Sequence, residues 1–177
     1  YIINDCFVEG GLFKGAAYYP HQYVLDDKSL DDYQQNLFHF MRRMLVLRFE
    51  SSFGAFRKSM MNALSILNQV HGFSQKFGYF LYSRQAMDKL MDDTEDDDDA
   101  EATSKLIDVI LKLHENAGKT GKRGWRNELM YNLNDGSFDS RRFLAELESD
   151  IKLFQDIIEK VDKLNLINED PKCDALI

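Results

Sequence analysis

From Tyr33 to Leu67 the apolar residues Tyr33, Leu37, Met41, Leu45, Phe49, Phe53, Phe56, Met60, Leu64 and Leu67 recur at steps of three or four, and nothing else in the sequence restricts the fold as much. That spacing matches the turn of an α-helix and lines these side chains along one stripe. Phe38, Phe40, Met44, Leu47 and Met61 flank the stripe and widen it, so the helix is expected to be covered on more than one side. Ser29 is a fitting N-cap, and Asp31 and Asp32 fall in the first turn, where the helix dipole favours negative charge. Gly54 offers a place to bend, and Gly72 or Gly78 a place to stop. The spacing predicts one central helix of about forty residues.

A second stripe follows Asp139 and Ser140: Phe143, Leu144, Leu147, Ile151, Phe154, Ile158, Val161 and Leu164. It predicts a last long helix, broken by the stretch from Asn165 to Pro171. Between the two stripes, residues 79–91 are expected to add a helical turn or two. Leu106, Val109, Ile110 and Leu113 again have helical spacing, and Asn132-Leu133-Asn134-Asp135-Gly136-Ser137 reads as a turn. No alternating pattern is long enough to build a sheet, and no internal repeat is present. The expected fold is all-α: an elongated helical bundle on two long helices, spanning 29–177.

Ahead of it, residues 1–28 are rich in glycine and aromatics, with Gly10-Gly11, Gly15 and Tyr18-Tyr19-Pro20-His21-Gln22-Tyr23, and are expected to be irregular. Residues 92–101, with Asp at 92, 93 and 96–99, have too little apolar content to fold alone and are expected to be a disordered acidic loop. The net charge of −8 owes much to this run, which leaves the remainder near neutral with room for a modest basic surface. Hydrophobic residues make up 44% of the chain, enough for a core, yet no apolar run approaches a membrane span of ~20 residues. Cys6 and Cys173 lack metal-like spacing and read as free thiols of a reducing, cytoplasmic compartment. Tyr1 in place of Met, and the helix-like Asp174-Ala175-Leu176-Ile177, read as the ends of a piece of a larger intracellular protein.

Candidate chemistry is sparse. Ala117-Gly118-Lys119-Thr120 imitates a phosphate loop, but the motif requires a glycine where Leu113 stands and a strand where the spacing is helical. Lys119, Lys122, Arg123 and Arg126 surround the single tryptophan, Trp125. Cations around an aromatic can grip phosphates and stack on a base; equally, Trp125 can anchor the loop while the charges are solvated. The acidic run lacks the glycine-punctuated spacing of calcium loops. His21, His39, His71 and His114 form no metal-ligand pair, and no serine or cysteine has a triad context. The most unusual stretch is Arg48-Phe49-Glu50-Ser51-Ser52-Phe53-Gly54-Ala55-Phe56-Arg57. Serines are mediocre helix formers, so Ser51 and Ser52 inside a strong helix mark either a specific contact or a crossing where small residues allow close approach.

This stretch carries a resemblance. Met44-Leu45-Val46-Leu47-Arg48-Phe49-Glu50-Ser51-Ser52, followed by Ala55-Phe56-Arg57, resembles the Arg-x-Glu-Ser-Ser-x-x-Ala-Phe-Arg helix of bacterial Swi/Snf-type helicases. In these a helical region separates two RecA-like ATPase lobes, often beside a phospholipase-D-like nuclease domain. Leu147, Asp150, Leu153, Ile157 and Val161, then Asp170-Pro171-Lys172-Cys173-Asp174-Ala175-Leu176, look like the segment leading into the second lobe. Gly54 and Phe53 depart from the pattern, and nothing before Leu37 matches strongly. The resemblance implies an ATP-dependent helicase or DNA translocase as the parent, with ATP and Mg bound outside residues 1–177. The piece itself would hold no cofactor and no ATPase site. It would brace the lobes, with Arg48, Glu50, Ser51, Ser52 and Arg57 as contact candidates toward a lobe or duplex DNA. Lys119, Lys122, Arg123, Trp125 and Arg126 remain candidates for nucleic acid. The rival expectation is a helical protein–protein interaction module presenting aromatics such as Phe38, Phe40 and Phe53.

Overall fold

The computed structural model describes residues 2–26, 31–83 and 128–164. In chain order these form α1 (Ile2–Phe7), a 3-10 turn (Pro20–Tyr23), α2 (Asp32–Ser51), α3 (Phe53–Phe77), β1 (Tyr79–Ser83), β2 (Glu128–Asn132) and α4 (Ser140–Lys163). The described chain is mostly helical, as the stripes require, with one small sheet that they do not announce. The acidic run 92–101, the 106–113 stretch, and Lys119, Lys122, Arg123, Trp125 and Arg126 all lie outside the described residues.

The predicted forty-residue helix is two helices. Ser52 leaves helical geometry at φ −157°, ψ 132°. Its N–H still donates to Arg48 O at 2.9 Å, closing α2. Its Oγ accepts from Ala55 N at 3.4 Å and its carbonyl from Phe56 N at 3.0 Å, opening α3. One serine therefore ends one helix and caps the next, satisfying backbone groups that helix termini leave without partners. The apolar stripe hides the break because Phe49 packs on both Phe53 and Phe56, each with ring centroids 5.2 Å away. At the other end of α2 the N-cap is Asp31, whose carboxylate accepts from Gln34 N at 3.1 Å, and not the expected Ser29. Gly78, in the left-handed region at φ 70°, stops α3 as expected.

Residues 79–83 form a strand rather than further helix. β1 and β2 pair antiparallel, with Tyr79 opposite Asn132 and Ser83 opposite Glu128. Phe80, Tyr82 and Tyr131 are buried while Met130 is exposed, the one-sided burial of a strand lying on a core. Asn134 N to Asn132 Oδ1 and Ser137 N to Asp135 Oδ1, both 2.9 Å, make the predicted turn. Asp139 then caps α4 by accepting from Arg142 N at 3.1 Å.

Antiparallel packing of α3 on α4 is fixed by two polar pairs. Arg57 binds Asp162, and His71 Nε2 lies 3.0 Å from Glu148 Oε1. Fourteen residues forward on α3, from Arg57 to His71, correspond to fourteen back on α4, from Asp162 to Glu148. Between these pairs Met60, Ala63, Ile66, Leu67 and Val70 are buried on α3. The buried face of α4 is Phe143, Leu147, Asp150, Phe154, Ile157 and Val161, alternating steps of four and three as in a coiled-coil seam.

Residues 2–26 share this core and form a strap across α2 and α4. Phe13 packs on Phe38 of α2 at 5.4 Å and on Phe154 of α4 at 5.2 Å, and Phe7 meets Phe154 edge-on at 6.1 Å. Tyr23 joins Phe138 and Phe143, 6.0 and 5.4 Å away. The strap continues into an isolated bridge between Val24 and Phe138, with Leu25 N donating to Ser137 O at 2.8 Å.

Candidate functional site

Among the described residues, two places combine polar side chains with an unusual local structure: the junction of α2 with α3, and the underside of the strap.

At the junction the structure brings together the residues singled out from sequence. Arg48 is half-buried on the last turn of α2, and Glu50 and Ser51 are exposed. Ser51 Oγ donates back to Leu47 O at 2.7 Å, while the Leu47 side chain itself is 54% exposed. Arg57, one turn into α3, is engaged: Nε donates to Asp162 Oδ1 at 2.6 Å and Nη2 to Asp162 Oδ2 at 3.0 Å. This two-pronged geometry is the one a guanidinium makes best with a carboxylate. The hydrogen bond raises the Arg57 pKa and lowers that of Asp162. Nη1 of Arg57 also lies 2.9 Å from the exposed Met61 Sδ, so one guanidinium sits between Met61 and the last turn of α4.

Beneath the strap is a group that the sequence named only within a resemblance and not as a site. Asp150 is fully buried in the apolar seam of α4. Its Oδ1 accepts from Lys14 N at 2.7 Å, its Oδ2 from Ala16 N at 3.1 Å, and the Gly15 N–H adds a third backbone donor. Gly15 makes the cradle at φ 67°, and a Cβ there would come within 2.2 Å of the Phe38 ring. Both the conformation and the close approach demand glycine. Burial pushes the Asp150 carboxyl up to about 7, against the pull of the three N–H donors and with a further push from Glu146. The one sequence signal was arithmetic: the seam 143, 147, 150, 154, 157, 161 places a carboxylate in line with apolar residues.

Neighbouring polar groups also tie the strap down. Tyr23 OH donates to Glu146 Oε2 at 2.7 Å, and Arg142 Nε donates to Glu146 Oε1 at 2.9 Å with its guanidinium 5.2 Å above the Tyr23 ring. Buried Gln34 accepts from His21 N at 2.9 Å and donates to Tyr131 OH at 2.7 Å, linking strap, α2 and β2. Arg42 Nε donates to Phe7 O at 2.8 Å. Tyr18 OH is buried with no hydrogen-bond partner among the described residues. Burial, then the nearby Asp150, push its ionisation far above the usual phenol range. Sealed from water, Asp150 cannot meet a dissolved substrate; what its oxygens can do is hold backbone.

Cys6 is a buried free thiol whose pKa burial pushes up, which makes it a poor nucleophile. Among the described residues no group of His, Cys, Asp or Glu could hold a metal ion, and no helix is long and apolar enough to cross a membrane. A scan of protein-family models finds no match, and searches of curated proteins and of solved structures find none.

Proposed function

We propose that this chain is the helical region bracing the two ATPase lobes of a Swi/Snf-type DNA helicase or translocase, with no ATPase site of its own. The brace is an elongated bundle built chiefly on α3 and α4. ATP and Mg belong to the flanking lobes, duplex DNA is a further partner, and the compartment is the cytoplasm.

The observation that carries the reading is the bond between Arg57 and Asp162. Arg57 closes the helicase-like motif, and Asp162 lies on the helix that runs toward the segment resembling the entry to the second lobe. A two-pronged bond between them couples the two stretches that, by resemblance, adjoin the motor. Arg57 then acts as an internal tie, while Arg48, Glu50 and Ser51 at the end of α2 present the contact face.

ATP hydrolysis by the full-length protein tests this, measured with Mg, with and without duplex DNA. Arg48→Glu combined with Arg57→Glu should reduce DNA stimulation several-fold. Undiminished stimulation, or a full-length protein that hydrolyses no ATP, would end the proposal.

An interaction module is the second reading, favoured by the exposure of Leu47, Met61 and Leu164 at 54%, 46% and 63%. A full-length protein lacking hydrolysis but binding another protein through these residues would select it.

A further inference from the structure

Besides its aromatic contacts, the strap is held to α4 through one buried carboxylate that, among the described residues, has no cation bonded to it. Its surroundings can be taken element by element. From the strap come the hydroxyls of Tyr18 and Tyr23, and Lys14, whose Nζ donates to Gly11 O at 2.8 Å. From α4 comes Glu146, one turn away, held by Arg142 and Tyr23. From α2 comes Arg42, which bonds Phe7 O and lies 5.3 Å from the centre of the Phe38 ring. From α3, Arg57 and His71 reach α4 at Asp162 and Glu148. Among the described residues, no lysine or arginine bonds the Asp150 carboxylate; its partners are backbone N–H groups.

We propose that Asp150 is a proton-operated clasp: protonated, it keeps the 2–26 strap docked on α4, and ionised, it loosens the strap. The physics is that of a charge in two environments. Docked, the carboxylate is fully buried against the 14–16 backbone, near the Tyr18 hydroxyl, and faces the like charge of Glu146, and both conditions disfavour ionisation. Undocked, the same face of α4 is open to water and the charge is solvated. Ionisation therefore favours the undocked state. The three N–H donors oppose this only in part, since burial outweighs them and places the docked group near neutral pH. A strap that opens exposes the rings of Phe7 and Phe13 and the buried seam around Phe154, so the equilibrium controls access to an aromatic surface.

Hydrogen exchange on the intact chain tests the clasp, with rates divided by the intrinsic exchange rate at each pH. Peptides covering 12–19 should open on the order of 30-fold more often at about pH 8.5 than at about pH 5.5, and at both pH values far more often than peptides from α3 and α4. Asp150→Asn should flatten the profile. Glu146→Gln, which removes the neighbouring like charge and keeps the carboxylate, should move the rise to lower pH. A flat wild-type profile overturns the proposal, whichever variants fold. So does an opening frequency for 12–19 no higher than that of α3 and α4, since the strap is then not released by itself.

Discussion

Arg57 and Asp162 are joined by two N–H···O bonds, 2.6 and 3.0 Å long, across 105 positions of sequence. Both side chains remain partly exposed, at 31% and 43%, so solvent screens the pair and its share of global stability is small. Its effect is local. Arg57→Lys keeps the charge and loses the fork, and hydrogen exchange in the last two turns of α4 should accelerate while the unfolding midpoint barely moves.

Asp150→Ala strands the N–H groups of Lys14, Gly15 and Ala16 in the interior. Chemical denaturation should report a loss of about 3 kcal/mol. The pH dependence has a definite sign. The folded protein binds the Asp150 proton more tightly than the unfolded chain, so stability falls as pH rises from the ordinary 3.8 toward about 7, then levels off. Urea titrations at intervals across that window should show the decline, and Asp150→Asn should remove it.

Adjacent serines should behave in opposite ways. Ser52→Ala deletes the cap of α3 and should cost about 1 kcal/mol. Ser51→Ala, in the last turn of α2 with its hydroxyl turned back on Leu47 O, should be neutral or slightly stabilising because alanine is the better helix former. Thermal melts of the pair would separate a junction built by Ser52 from one built by the dipeptide.

Two glycines give a second contrast. Gly15→Ala meets the Phe38 ring at 2.2 Å from a positive φ, and the melt should fall by an amount equivalent to more than ~2 kcal/mol. Gly72 is exposed within α3 with nothing within 4 Å of an added Cβ, so Gly72→Ala should stabilise by about 0.5–1 kcal/mol.

Gln34→Leu would fit the buried stripe of α2 but leave the His21 N–H and the Tyr131 hydroxyl without the partners they now have. The expected cost is about 2 kcal/mol, read by denaturation.

These residues also show what the sequence disclosed. The start of α4 at Asp139, the stop of α3 at Gly78 and the burial of Phe143, Leu147, Phe154 and Val161 follow from caps and spacing, which act within a few residues of each other. The break at Ser52 escaped because Phe49, Phe53 and Phe56 keep helical spacing across it, and a cap formed mid-stripe leaves that pattern intact. β1 escaped because five residues are too few to establish a period. Asp150 escaped for another reason. Its partners are backbone groups 134 and 136 positions away, and no side-chain pattern records where a distant N–H will point. The contact candidates on α2 and α3 were legible as a polar interruption, but Asp162 as the partner of Arg57 was not.

The register of the small sheet carries a consequence for how this chain can be rebuilt. Ser83 and Glu128 stand opposite each other, so residues 84–127 depart and return at one spot. A splice joining Ser83 to Glu128 through an Asn-Gly hairpin turn would keep the register of β1 and β2. Grafting a foreign module at the same spot would do so as well, which makes the position a natural socket for swapping parts.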